Sequence, residues 1–204
     1  MNQNLQKTIA KLATMQAEIP EERKALLAEI AAFISHKLQK GEPVKMNFIC
    51  TENSRRSHLS QLMSAAIARY FGLPIKTFSG GTKVSACNPR TVASLRRAGF
   101  SIADAEGENP KYPVVFEPND EPLLSYSKLY DAPENPQDSF IAIMVCGSAD
   151  ANCPFIPNSE KRFAVTFNDP KVAENTPQEA ATYDERLLEI GSQFYYLFNL
   201  VKND

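Results

Sequence analysis

The sequence predicts an α/β protein: a small parallel sheet flanked by helices in three layers, preceded by an N-terminal helical hairpin. Three observations carry this expectation. From residue 43 onward, apolar runs of strand length alternate with stretches of helical periodicity, the pattern of parallel strands joined by crossover helices. The run at 140–145 is continuously apolar, as expected of a strand buried on both faces. Residues 1–42 instead repeat apolar side chains at helical spacing.

Taken in order, Leu5, Ile9, Leu12 and Met15 mark a first amphipathic helix, and Leu27, Ile30, Ile34 and Leu38 mark a second after Pro20. Glu21 and Glu22 open the second helix, Lys37 and Lys40 sit in its last turn, and Gly41 stops it, which suits the helix dipole and C-cap rules. Two such helices must bury their stripes on each other, on the main body or on a second subunit, so a homodimer through 1–42 is one expectation. The run 44–49 reads as the first strand and 57–70 as the helix behind it. Gly72 and Pro74 end that helix, and 75–78 reads as a second strand. Asn88-Pro89 is an N-cap followed by proline at the first helical position, and Gly99 closes that helix. Residues 113–117 and 123–126 read as a β-hairpin inside a Pro- and Asp-rich stretch, 101–139, long enough to be a lid or a substrate-facing insertion. The run 163–167 reads as a last strand. Thr176-Pro177-Gln178-Glu179 reads as a capping box that opens a helix running towards Val201. The division expected is therefore a hairpin at 1–42 and a catalytic domain at 43–204, with its insertion at about 101–139.

Bulk properties narrow the function. The chain has 204 residues, 43% of them hydrophobic, enough for one good-sized core. A net charge of −2 with no basic tract argues against nucleic acid as a partner. No apolar run approaches the roughly 18 residues of a membrane span, and no signal-peptide h-region is present. A soluble cytoplasmic protein is expected, with no membrane partner. There its four cysteines would be reactive or buried rather than bridged.

The chemistry concentrates in Cys50-Thr51-Glu52-Asn53-Ser54-Arg55-Arg56-Ser57. This stretch lies where a strand ends and a helix begins, so backbone N–H groups without partners face the positive end of the helix dipole. Such a position beside an arginine favours the thiolate form of Cys50. Arg56 offers a planar, permanently charged fork for two oxygens of a phosphate-like anion, and Ser57 can donate to the sulfur. Asn53 tolerates left-handed backbone angles and can brace the loop through its own backbone. The amides of Thr51, Glu52, Asn53, Ser54, Arg55 and Arg56 would line the anion site.

A second constellation, Cys146-Gly147-Ser148-Ala149-Asp150-Ala151-Asn152-Cys153-Pro154, follows the 140–145 run, which puts Cys146 at the same sheet edge as Cys50. A zinc site would need four ligands, and the other cysteines and the two histidines, His36 and His58, stand at unrelated spacings, so no metal is expected. A redox pair is favoured over two inert thiols. Cys87, without such a context, reads as a buried small side chain. Asp169, before Pro170 and after the last strand, suits a general acid aimed at a leaving oxygen.

Together with Ser79-Gly80-Gly81, Asn88-Pro89 and Phe167-Asn168-Asp169-Pro170, these motifs resemble those of thioredoxin-coupled arsenate reductases, which share the fold of low-molecular-weight protein tyrosine phosphatases. The resemblance spans roughly residues 44–201, interrupted by 101–139. It implies that Cys50 attacks bound arsenate while Asp169 protonates the departing oxygen. Cys146 and then Cys153 would carry the oxidation away as disulfides, and thioredoxin would be the electron donor, with no bound cofactor. Departures accompany it. Arg55 stands where these reductases often have another cysteine. Glu52 replaces a glycine and could turn to solvent or to Arg55, or weaken anion binding. Gln61 stands where an acidic residue is implicated in potassium binding, which argues against that ion. The alternative is phosphotyrosine or small-phosphoester hydrolysis through a cysteinyl-phosphate on Cys50, for which Cys50, Arg56, Ser57 and Asp169 suffice. Lys171-Val172 after Asp-Pro, where tyrosine phosphatases of this fold commonly have aromatic residues, counts against it. A third expectation is a non-catalytic oxyanion or redox sensor.

Overall fold

The computed structural model describes residues 1–153 and 155–204. Helices α1 (Gln3–Leu12) and α2 (Glu21–Gln39) form the hairpin, joined by a 3-10 turn over Ala13–Glu18. Strand β1 (Val44–Cys50), helix α3 (Arg56–Phe71), strand β2 (Ile75–Gly81) and helix α4 (Pro89–Arg97) follow. Then come the short strands β3 (Ser101–Ile102), β4 (Tyr112–Val115) and β5 (Leu123–Ser125). Strand β6 (Phe140–Met144), helix α5 (Gly147–Asn152), strand β7 (Ser159–Ala164) and the long helix α6 (Glu179–Asn203) complete the chain.

The main sheet has four parallel strands in the order β2-β1-β6-β7. Its two central strands are almost wholly buried, which is why they read as uninterrupted apolar runs. Along β1 the side chains alternate between faces. Phe48 meets Phe194 of α6 edge-on at 5.1 Å, whereas Asn47 turns the other way and donates to the Tyr130 carbonyl at 2.9 Å. Helices thus cover one face, and beside β1 the other carries part of the 101–139 stretch.

That stretch contains the expected hairpin, β4 with β5, extended by β3 into a separate antiparallel sheet. It is not a lid. Ser127 and Lys128 grip the Cys50 loop from behind, at Glu52 O (2.8 Å) and Asn53 Oδ1 (2.9 Å).

The apolar stripes of the hairpin are buried within the chain itself. Leu5, Ile9, Leu12, Leu27, Ile30 and Ile34 are at most 1% exposed and join the same core as the sheet. Met15 and Leu38 of the same stripes are partly buried against that core. The hairpin also ties to both ends of the sheet: Arg23 donates to the Thr166 carbonyl at 3.0 Å near the site, and the buried Lys37 pairs with Glu160 at the opposite end of β7 at 2.7 Å. No helix among the described residues is long and apolar enough to cross a membrane.

Two expectations are corrected. The last strand is 159–164 rather than 163–167, because parallel pairing with β6 fixes its register from Phe140↔Ser159 to Met144↔Ala164. The chain beyond it, including buried Val165 and Phe167, leaves the ladder with a single bond from Phe167 N to Val145 O. Helix α6 starts at Glu179, three residues past Thr176, so the capping box does not form. Glu179 instead accepts from the N–H of Asn175, whose φ of 63° turns the chain into the helix.

Candidate functional site

Three neighbouring parallel strands deliver the three reactive groups to one edge. β1 ends at Cys50, β6 leads through Val145 to Cys146, and the segment after β7 reaches Asp169. Their carboxyl ends open on a cavity of about 220 Å³ bordered by Cys50, Arg56, Ser148, Asp169 and Lys171.

The loop from Cys50 to Arg56 is shaped by where its carbonyls go. Thr82 N takes Cys50 O, Lys83 N takes Thr51 O, and Ser85 and Ser127 hydroxyls take Glu52 O. His58 holds Asn53 O at 2.8 Å, and Asn88 N with the Thr91 hydroxyl takes Ser54 O. With every carbonyl drawn outward, the N–H groups of Ser54, Arg55 and Arg56 have no partner among the described residues, which is the electrostatic form of an anion nest. The Asn53 N–H points at Cys50 Sγ, 3.2 Å away. Gly81 permits the close approach of β2: a Cβ there would lie 2.8 Å from Asn53 N and 2.9 Å from Thr51 O.

Asn53 has the left-handed backbone expected of it, φ 45°. Its side chain, however, does not bond to its own backbone. It donates to Ser57 Oγ at 2.8 Å and Ser79 Oγ at 3.0 Å, and accepts from Lys128 N. Ser57 Oγ in turn sits 3.1 Å from Cys50 Sγ, as the sequence suggested. Behind this chain Ser79 donates to Gln61 Oε1 at 2.6 Å. Burial holds His58 neutral, its imidazole pushed down to about 3, between Asn53 O and the Ser125 hydroxyl.

The two arginines divide their tasks. Arg56 binds Asp169 Oδ2 at 2.6 Å and the Phe167 carbonyl at 3.0 Å, so the expected acid and the expected anion-binding fork face each other. Asp169 also caps the turn Pro170–Ala173 by accepting from Lys171 N. Arg55 turns its guanidinium away, onto Glu174 at 2.9 Å and the Tyr183 hydroxyl at 3.0 Å, leaving only its backbone to the anion site. Glu52 pairs with Lys83 at 3.2 Å and with Arg55 at 3.7 Å. The Lys83 contact first, and the nearby cations with it, hold Glu52 below the usual carboxylate range despite partial burial.

Cys146 is buried at the N-cap of α5 and abuts the loop, its sulfur 3.4 Å from Thr51 Oγ1. Burial would raise its thiol. Hydrogen bonds with Thr51, Ser148 and the Ala149 N–H, together with the Arg56 charge, outweigh that and draw it down. Cys153, half-buried, lies at the far end of α5. Arg162 fastens that end, donating to the Cys153 carbonyl at 3.1 Å and pairing with Asp150. Pro154, which closes this motif in the sequence, lies outside the described residues. All four cysteines are free thiols, and burial pushes Cys87 up to about 12, which makes it inert.

Sequence reasoning missed Glu174 and Tyr183. Glu174 Oε1 accepts from Arg55, from Tyr183 at 2.6 Å and from Asn88 at 3.2 Å, tying together the anion loop, α6, α4 and the acid-bearing turn. Only Asn88 gave a local signal, as an N-cap, and it does also accept from Arg90 N.

A strand–loop–helix anion nest with a cysteine at one end and a facing aspartate can hold an oxyanion against a sulfur nucleophile, and solved structures share the fold that builds it. The arsenate reductase from Archaeoglobus fulgidus superposes with a TM-score of 0.52 at 17% identity, covering 76% of this chain and 98% of that one. The low-molecular-weight protein tyrosine phosphatase from T. tengcongensis superposes at 0.51 with 14% identity, covering 76% and 98%. This chain has the fold those proteins share. In sequence it is similar to the arsenate reductase of Bacillus licheniformis, 28% identical over 147 residues, or 72% of this chain and 88% of that protein. No protein-family model matches the chain.

Proposed function

We propose that this protein is an arsenate reductase that works through a Cys50–Cys146–Cys153 thiol relay with thioredoxin as reductant. The observation that carries the reading is Cys146: a second thiol, drawn towards its thiolate, held against the Cys50 loop through Thr51. The similarity to proteins named arsenate reductase supports it.

Arsenate is held by the inward loop amides and the Arg56 fork. The Cys50 thiolate attacks arsenic, and the departing oxygen leaves as water with a proton from Asp169, giving a Cys50–arsenic(V) adduct. The Cys146 thiolate then attacks Cys50 Sγ. The sulfur–arsenic bond breaks, its electron pair stays on arsenic, and arsenite leaves as a disulfide forms. Cys153 next attacks Cys146 Sγ, freeing Cys50 and leaving a Cys146–Cys153 disulfide for thioredoxin. Seven residues of helix span roughly 10 Å, against about 6 Å between the Cα atoms of a disulfide, so α5 must unwind for this last step. The Arg162 contacts to Asp150 and Cys153 must break with it. The relay needs reduced thiols, which fits a cytoplasmic protein.

Hydrolysis of a phosphoester is the second reading. The facing pair of Arg56 and Asp169 beside Cys50 favours it, since these groups alone suffice for a cysteinyl-phosphate route. One assay separates them: arsenate with thioredoxin, its reductase and NADPH. NADPH loss that Cys146→Ser or Cys153→Ser abolishes supports the relay. No NADPH loss in the wild type, with phosphatase turnover intact in both variants, would sink it.

A further inference from the structure

A second cavity lies outside the cysteine site. It measures about 820 Å³, within the range of small-molecule sites, and runs between α3, β2 and the 101–139 stretch. Ile75, Phe78, Phe116 and Leu123 give it apolar walls. One mostly buried cation lines it without an anion against it. Lys128, only 8% exposed, forms no ion pair among the described residues; its Nζ sits 4.7 Å from the centre of the Tyr126 ring. A buried lysine is normally paired, so an unpaired one at a cavity wall is open to an anion.

We infer that this cavity binds a small monocarboxylic acid with an apolar body. Lys128 Nζ takes the carboxylate, and the apolar walls take the body. One mostly buried cation balances a single negative charge. Glu134, which receives the Tyr126 hydroxyl at 2.8 Å, attracts the ammonium without pairing with it. Burial pushes Lys128 down to about 8, which leaves it largely protonated at neutral pH. The site shares a wall with the cysteine loop, since the Lys128 N–H holds Asn53 Oδ1 and its carbonyl accepts from Gly81 N at 2.8 Å.

Calorimetric titration with phenyllactate tests this without any turnover, so its outcome is independent of the reductase reading. Saturable binding at millimolar concentration or tighter is expected. Phenyllactamide, without the charge, should bind about tenfold more weakly. Lys128→Met should lose at least as much, and Arg56→Met should bind as the wild type does. Leu124→Glu adds a like charge at the half-exposed rim and should weaken binding even if Lys128→Met does not fold. The inference fails if phenyllactate does not saturate, if the amide binds equally well, or if Lys128→Met binds unchanged. Loss of binding in Arg56→Met would also overturn it, by assigning the acid to the cysteine loop.

Discussion

Replacing Glu174 with alanine should cost both stability and turnover, although the residue touches no reacting atom. Its carboxylate is the common acceptor for Arg55, Tyr183 and Asn88, with the Arg55 and Glu174 side chains only 10% and 15% exposed. Removing one partner of a buried ion pair leaves the other charge desolvated, at about 3–5 kcal/mol. Glu52, 3.7 Å from Arg55, offers partial relief, so the expected loss is about 3 kcal/mol, near the lower end of that range. With a urea m-value of about 2 kcal/mol/M, the unfolding midpoint falls by about 1.5 M. Glu174 also ends the turn that begins at Asp169. A displacement of about 1 Å there can cost up to about 100-fold in kcat, with KM for the oxyanion little changed. Urea unfolding at pH 7 reads the first effect and steady-state arsenate turnover the second. The pH dependence carries its own sign. Burial would raise Glu174, but Tyr183 and Arg55 hold it below the usual carboxylate range. Its stabilisation is therefore present above the ordinary carboxylate value and disappears as pH falls through its depressed folded value. The gap between wild type and variant should close in strong acid. A stability loss under about 1 kcal/mol at neutral pH would refute the role assigned to this hub.

Two further outcomes follow from the loop. His58 is neutral and buried, with its imidazole near 3 when folded against an ordinary 6.5, so the unfolded chain binds a proton that the folded one does not. Stability should drop as pH falls between these values, by about 2 kcal/mol at pH 5 relative to pH 7.5, at about 1.4 kcal/mol per unit. His58→Asn should flatten that slope in urea titrations at the two pH values; an unchanged slope would contradict the assignment. Gly81→Ala places a Cβ 2.6 Å from Lys83 O and 2.8 Å from Asn53 N, both backbone atoms. It should destabilise by about 1–3 kcal/mol and weaken arsenate or phosphate binding measured by calorimetry, whereas unchanged affinity would mean the loop has room to spare.

The parts of the site legible in the sequence are those carried by one short stretch of chain. Cys50 to Ser57 lies between a buried strand and the helix it feeds, so residue type and spacing alone announce an anion loop. Cys146 and Asp169 were legible because each follows a strand of the same parallel sheet. Glu174 and Tyr183 were not: they lie 119 and 128 positions from Arg55, and nothing local marks either as its partner. Strand β7 was misplaced for a related reason. It is an edge strand whose residues Glu160, Lys161 and Arg162 keep partial contact with solvent, so its polar start resembled a turn while the apolar chain after it resembled the strand.

Of the outcomes the sequence left open for Glu52, the structure has it turned to Arg55, the other departure in the cysteine loop, at 3.7 Å. A carboxylate at 52 brings negative charge to the rim of an anion site, and a guanidinium at 55 must be placed where it does not compete with Arg56. Each solves the other's problem. Arg55 lies between Glu52 on one side and Glu174 with Tyr183 on the other, while Lys83 takes the second Glu52 contact. The Glu52 charge is thus balanced outward, away from Arg56, and Arg55 is held at the back of the loop as a brace. Burial alone would lower the Arg55 guanidinium, yet Tyr183, Asp169 and Glu174 raise it overall, so its partners outweigh desolvation. Glu174 is the nearer partner of Arg55 and Lys83 the nearer partner of Glu52, and the 3.7 Å contact between the two links these pairs. The pair is best read as one coupled replacement, and the loop keeps its inward amides and the Arg56 fork for the oxyanion.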